Sequence, residues 1–80
     1  MAFETGQVVI SNAGRDKGTA LVVTAITELG VLVCDGKQRP LERPKRKNSR
    51  HLLPTAFHLD AQTMATNRRL KRALREMKIQ

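Results

Sequence analysis

The first 54 residues never run far without a turn signal, and that rhythm limits what they can become. Asn12-Ala-Gly-Arg-Asp-Lys-Gly18 is a polar turn with two glycines four residues apart. Gly30 closes a short link after Leu29, and Asp35-Gly36 is a strong hairpin signal. Arg43-Pro44 and Pro54 interrupt the chain further on. The pieces between these signals, at most eleven residues, are no longer than the roughly 10–12 a helix needs. Residues 7–10, 20–27, 31–34, 37–42 and 51–53 therefore read as five short strands, the second rich in β-branched side chains. Pro40 demotes the fourth to an edge or a bulged segment, and residues 45–50 read as a basic connection.

A lone hairpin is not stable in water, so strands this short must curl on one another. A small closed barrel would hide its edges and cover one core. The expected core is Val8, Ile10, Leu21, Val23, Ile26, Val31, Val33, Leu41 and Leu52. Leu21, Val23 and Ala25 should face one way and Val22 and Thr24 the other. Ile26 breaks that alternation, which predicts a bulge or strong coil beside it.

Residues 56–80 differ in character. Asp60 is a plausible N-cap with Ala61 opening a helix, and no Gly or Pro follows. Leu70, Ala73, Leu74 and Met77 share one side at 3.6-residue spacing, with Arg68, Arg72 and Arg75 opposite. Arg75 and Lys78 suit the negative end of the helix dipole. The expected organisation is a barrel over residues 1–55 and a basic amphipathic helical extension over residues 56–80. The helix would dock on the barrel, dock on a partner, or order only when bound.

Charge narrows the function. Residues 1–36 hold two basic and four acidic side chains, whereas residues 37–80 hold thirteen basic and three acidic ones. The net charge is +8 on 80 residues. Such a one-sided field attracts a polyanion. An anionic membrane is disfavoured, because the apolar stripe of the helix is narrow and has no aromatic residue. No apolar stretch approaches a membrane span and no secretory signal opens the chain, so the expectation is a cytoplasmic protein. Phe3 and Phe57 are its only aromatics, too few for a base-stacking platform. A lone Cys34, two histidines and scattered carboxylates predict no metal, no cofactor and no catalytic site. Cys34 reads as a small buried apolar residue.

The segment from Val8 through Gly14 to Gly18, followed by Leu21-Val-Val, closely resembles the KOW motif. Val31-Leu-Val-Cys-Asp-Gly36, Arg39-Pro-Leu-Glu-Arg-Pro-Lys45 and Asn48-Ser-Arg-His51-Leu-Leu-Pro54-Thr narrow the likeness to bacterial members of the ribosomal L14e/L6e/L27e-like group. The likeness covers residues 5–55. Barrels of the ribosomal L24 kind often carry a further glycine three residues after the Lys-Gly pair, and Leu21 stands there instead. The resemblance implies an all-β, SH3-like (KOW) barrel of about five strands, followed by the helix. It also implies that the first turn contributes to RNA contact, through Asn12, Arg15, Asp16 and Lys17.

Residues 37–50 are the best binding candidate on chemistry alone. Lys37, Arg39, Arg43, Lys45, Arg46, Lys47 and Arg50 crowd together with Glu42 as the one acid. Cations packed so closely repel one another without a polyanion. Asn48 and His51 lie in or beside this stretch, though His51 reads first as a barrel-edge residue hydrogen-bonded to backbone and second as an RNA contact. Arg68, Arg69, Arg72 and Arg75 would form a second contact along the helix. Gly14, Gly18 and Gly36 shape turns, and the first two also leave room for an RNA backbone. The expectation is a non-enzymatic protein, monomeric when free, that captures structured RNA electrostatically. Ribosomal RNA is the implied partner, with ribosomal proteins beside it. The alternative is a protein-interaction or transcription-elongation module of the KOW type.

Overall fold

The computed structural model describes residues 3–77; the expected dipole contact of Lys78 lies outside them. Five strands and a helix follow in order: β1 Gln7–Ser11, β2 Ala20–Thr27, β3 Gly30–Cys34, β4 Lys45–Lys47, β5 Leu52–His58 and α1 Asn67–Glu76. A single 3-10 turn, Ser49–His51, joins β4 to β5. All pairings are antiparallel, and the strands lie in the order β4-β3-β2-β1-β5.

The sheet is open, which corrects the expected closed SH3-like barrel. β4 pairs only with β3 and β5 only with β1. β4 is three residues long and offers little edge to close on. Closure is also unnecessary for burial, because both faces of the sheet are covered. Val9, Leu21, Val23, Val31, Val33 and Leu52 pack on one face, with Phe3 against them. Val8, Val22 and Cys34 occupy the other face, where Leu70 and Leu74 of α1 cover them. The strand alternation of β2 thus splits Leu21 and Val23 from Val22, as its side-chain period requires.

The bulge expected near Ile26 is present, as a register shift between Val23 and Ala25. It turns Ile26 outward, half exposed, so Ile26 leaves the expected core. Ile10 is only partly buried. Leu41 packs on the helix-covered face.

The segment expected as a fourth strand, residues 37–42, is a loop. The Asp35 carboxylate accepts the backbone N–H groups of Lys37 and Arg39, both at 2.8 Å, and the Asp35 N–H bonds the Arg39 carbonyl. These bonds close a compact turn and take the amides a ladder would need. The strand falls instead on residues 45–47, the expected connection. The last strand runs through Pro54 rather than ending there, which its edge position allows.

The helix begins at Asn67, not Ala61. Thr66 is the N-cap, and its side chain accepts the Arg69 N–H at 3.2 Å. Asp60 caps a preceding turn, accepting the Thr63 N–H at 2.8 Å. Asn67 then ties the helix to the 35–43 loop. Its side-chain oxygen accepts the Leu41 N–H at 2.7 Å and its amide donates to the Glu42 carboxylate at 2.8 Å. Gly36 makes this approach possible, since a Cβ there would run into the Asn67 carbonyl and the Lys71 amide.

Candidate nucleic-acid interface

Register decides which cations face outward. Lys45, Arg46 and Lys47 pair with Val33, Leu32 and Val31. Lys45 and Lys47 therefore share the face of the two inward valines, while Arg46 sits on the other side with Leu32. Ser11 shares that face with Val9 on β1. β2 and β3 separate β1 from β4, yet Lys47 Nζ reaches Ser11 Oγ at 2.8 Å. The sheet coils strongly enough to bring its first and fourth strands together at this point.

Lys47 is internal rather than presented. Its ammonium donates to Asp16 Oδ1 at 2.6 Å, to Ser11 Oγ and to the Ala13 carbonyl at 3.2 Å. The Lys47 side chain is 7% exposed and that of Asp16 14%. Ser11 Oγ also lies 2.9 Å from Asp16 Oδ1. The pair thus pins the β1–β2 turn to β4. The turn itself is closed by Gly18 N–H to the Ser11 carbonyl at 2.7 Å. Gly18 has φ +88° with open space where a Cβ would stand, so its requirement is conformational. Gly14 and Gly36 also have positive φ.

Burial would raise the Asp16 carboxyl, but hydrogen bonds from Lys47 and Ser11 and the Lys47 charge hold it below the ordinary carboxylate value. A carboxylate depressed in the folded state stabilises the protein above its unfolded pKa. That stabilisation is lost as pH falls through the folded value. The unfolding midpoint should therefore drop below about pH 4. It should drop less in an Asp16→Asn/Lys47→Met double variant, which thermal melts from about pH 6 to pH 2 will register. Equal acid sensitivity in both proteins would show that the pair carries none of it.

The remaining expected residues sort by position. Arg15, Lys17, Lys37, Arg43, Arg46, Asn48, Arg50 and His51 are exposed, and Asn12, Arg39 and Lys45 partly so. Asn48 Oδ1 accepts the Arg50 N–H, capping the 3-10 turn, and the His51 carbonyl accepts the Asn12 N–H. The geometry brings together two shallow grooves on either side of the β1–β2 turn. One, of about 440 Å³, is lined by Arg15, Asp16, Gln38, Arg39 and Lys45. The other, of about 500 Å³, runs past Gly14, Lys45, Arg46, Asn48 and His51. Lys45 borders both.

Arg68, Arg69, Arg72 and Arg75 project from α1, all exposed. Arg68 and Arg69 lie in its first turn, which holds no acid, so the helix dipole disfavours them there. Among the described lysines and arginines, only Lys47 and Arg72 lie within 4 Å of a carboxylate, and the Arg72–Glu76 contact is a loose 3.7 Å.

Sequence reasoning missed Ser11, Gln38 and Asn67. Nothing in their local sequence signals the ammonium, groove and loop that they meet. Cys34 is buried, its thiol directed at the Pro40 carbonyl and its pKa pushed up by burial. Among the described residues no group of three or more His, Cys, Asp or Glu is placed to hold a metal ion. No described helix is long and apolar enough to cross a membrane.

No protein-family model matches the sequence. Curated relatives do. The chain is 30% identical over 73 residues to the large ribosomal subunit protein eL14 of Methanococcus maripaludis strain C6, across 91% of this chain and 90% of the relative. The eL14 protein of strain C5 matches to the same extent. These relatives are archaeal, which overturns the expected placement among bacterial members of the L14e/L6e/L27e-like group.

Proposed function

The chain belongs to the eL14 family of large ribosomal subunit proteins, and on that premise we propose that it binds ribosomal RNA as a non-catalytic part of the ribosome. Its place is the cytoplasm, and its partners are large-subunit RNA and the ribosomal proteins around it. The observation that carries this reading is the set of surface cations left without carboxylate neighbours. Folding gives no reason to keep them so. A polyanion does, because each cation that meets a phosphate releases condensed counterions. The arginines favour forked contacts with phosphate, and the lysines act as point charges.

Three segments supply the contacts: the β1–β2 turn through Asn12, Arg15 and Lys17, the basic stretch from Lys37 to His51, and the arginines of α1. Asp16 and Lys47 serve by holding the turn. Recognition rests on backbone and shape, since Phe3 and Phe57, the only aromatics in the chain, are too few for a base-stacking platform.

Sedimentation tests the reading. The full chain should travel with large ribosomal subunits on a density gradient and be released by RNase or high salt. Migration only at the top of a low-salt gradient would refute it. A finer check uses exposed cations away from the turn. Replacing Arg43, Arg46, Arg50 and Arg75 together by Gln should weaken binding to large-subunit RNA about a hundredfold at roughly 0.1 M salt, with the plot of log affinity against log salt flatter by about 3. An unchanged slope would remove these residues from the contact.

A further inference from the structure

Arg15, Arg39 and Lys45 come from three separate parts of the chain, yet they border one groove. Each wall of that groove is fixed by contacts of its own. The turn carrying Arg15 is held by the Asp16–Lys47–Ser11 network. The loop carrying Gln38 and Arg39 is closed by the Asp35 carboxylate. Lys45 lies in β4, in register with Val33. Asp16 is the one acid on the groove lining, and Lys47 neutralises it from the interior side. The groove therefore presents three cations with no net opposing charge, on a frame that need not reorganise. Preorganisation of this kind reduces what ordering costs on binding.

We propose that this groove is a single phosphate seat, gripping one phosphate or two adjacent phosphates of the bound RNA between Arg15, Arg39 and Lys45. This rests on the RNA-binding reading above and adds a claim that reading does not make. Cations in a diffuse field act independently, whereas cations closing on one phosphate act as a unit. The seat also assigns Lys47 a positioning role, opposite to that of its neighbour Lys45.

Non-additivity separates the two cases. In filter binding to purified large-subunit RNA, Arg15→Gln and Lys45→Gln should each weaken affinity about tenfold and flatten the salt slope by about 1. Combined, they should fall well short of the product, because the first substitution already opens the seat. Lys45→Gln combined with Arg75→Gln on the helix should multiply in full. An Asp16→Asn/Lys47→Met variant keeps the net charge but frees the turn that carries Arg15, so it should bind several-fold more weakly while its salt slope stays that of the wild type. Inorganic tripolyphosphate supplies a probe that does not depend on the ribosome. It should shift the NMR signals of Arg15, Gln38, Arg39 and Lys45 in the full chain before those of α1.

Full multiplication of Arg15→Gln with Lys45→Gln would overturn the seat, as would tripolyphosphate shifts spread evenly over the basic surface. A folded Asp16→Asn/Lys47→Met variant with a flattened slope, or with wild-type affinity, would overturn the role given to Lys47. If that variant does not fold, the substitutions at Arg15 and Lys45 still decide, since neither side chain holds the sheet together. Selective tripolyphosphate shifts without binding to ribosomal RNA would leave the seat standing and refute the ribosomal reading.

Discussion

Asp16→Asn should destabilise the protein by about 3–5 kcal/mol, the cost of leaving a buried charge without its partner. A chain of 80 residues has a total stability of only about 4–12 kcal/mol, so the variant should lie near its unfolding threshold at room temperature. The reason is the position of the Lys47 ammonium. With Asp16 neutral it keeps hydrogen bonds to Ser11 Oγ and the Ala13 carbonyl, but no counter-charge. Turning to water would give up both of these bonds, which join β4 to the end of β1 and its turn. The Asp16→Asn/Lys47→Met double variant removes both charges and should recover most of the loss, since a buried pair taken as a whole contributes little or nothing net. Urea unfolding of the two single variants and the double closes the cycle. A loss below about 1 kcal/mol for Asp16→Asn would place the pair with solvent-screened surface bridges. One atom already shows the tension in this site: Asp16 Oδ2 is buried without a hydrogen-bond partner. That leaves the Lys47 and Ser11 contacts at Oδ1 to offset the desolvation of the carboxylate.

Lys47 also shows where sequence reading stops. By composition it is one of seven basic residues between Lys37 and Arg50, and nothing local distinguishes it. Only the register of β4 turns it inward, and that register depends on pairing with Val31. β2 was legible to the residue, because eight residues dominated by β-branched and aliphatic side chains leave no competing structure. The 37–42 segment was misread because its amides go to the Asp35 side chain, a local bond that outcompetes a ladder. The helix start was misplaced for a related reason. Asp60 and Thr66 are both good capping residues, and only the apolar spacing of Leu70, Leu74 and Met77 favours the later one. Barrel closure was not legible at all. Whether two edges meet depends on the coiling of the whole sheet and on the helix covering its second face. The charged surface was legible, since exposure is the ordinary state of Lys and Arg.

Leu70→Ala should lower stability by about 2–5 kcal/mol and the thermal midpoint by roughly 10–30 °C. Leu70 is fully buried, against Val8, Val22 and Cys34. α1 has ten residues, fewer than the roughly 12–15 at which an isolated helix is even marginal in water. Its first turn carries Arg68 and Arg69 against the dipole and no acid to offset them. Its stability must therefore come from the sheet, through Leu70 and Leu74. The dependence runs the other way as well. Without the helix, Val8 and Val22, both fully buried, would lose the cover of Leu70 and Leu74 on the second side of an open sheet. The Asn67 links to Leu41 and Glu42 would be lost with it, and with them the anchor of the basic loop. The substitution should accordingly shift helix and sheet together, in one transition seen alike by circular dichroism at the helix band and by hydrogen exchange at the β2 amides. Early loss of the helix signal, with β2 protection unchanged, would mean that the sheet stands alone and that α1 is an arm laid over it. In that case the cover for Val8 and Val22 would have to come from Leu41, Leu59 and Met64, which also pack against this cluster.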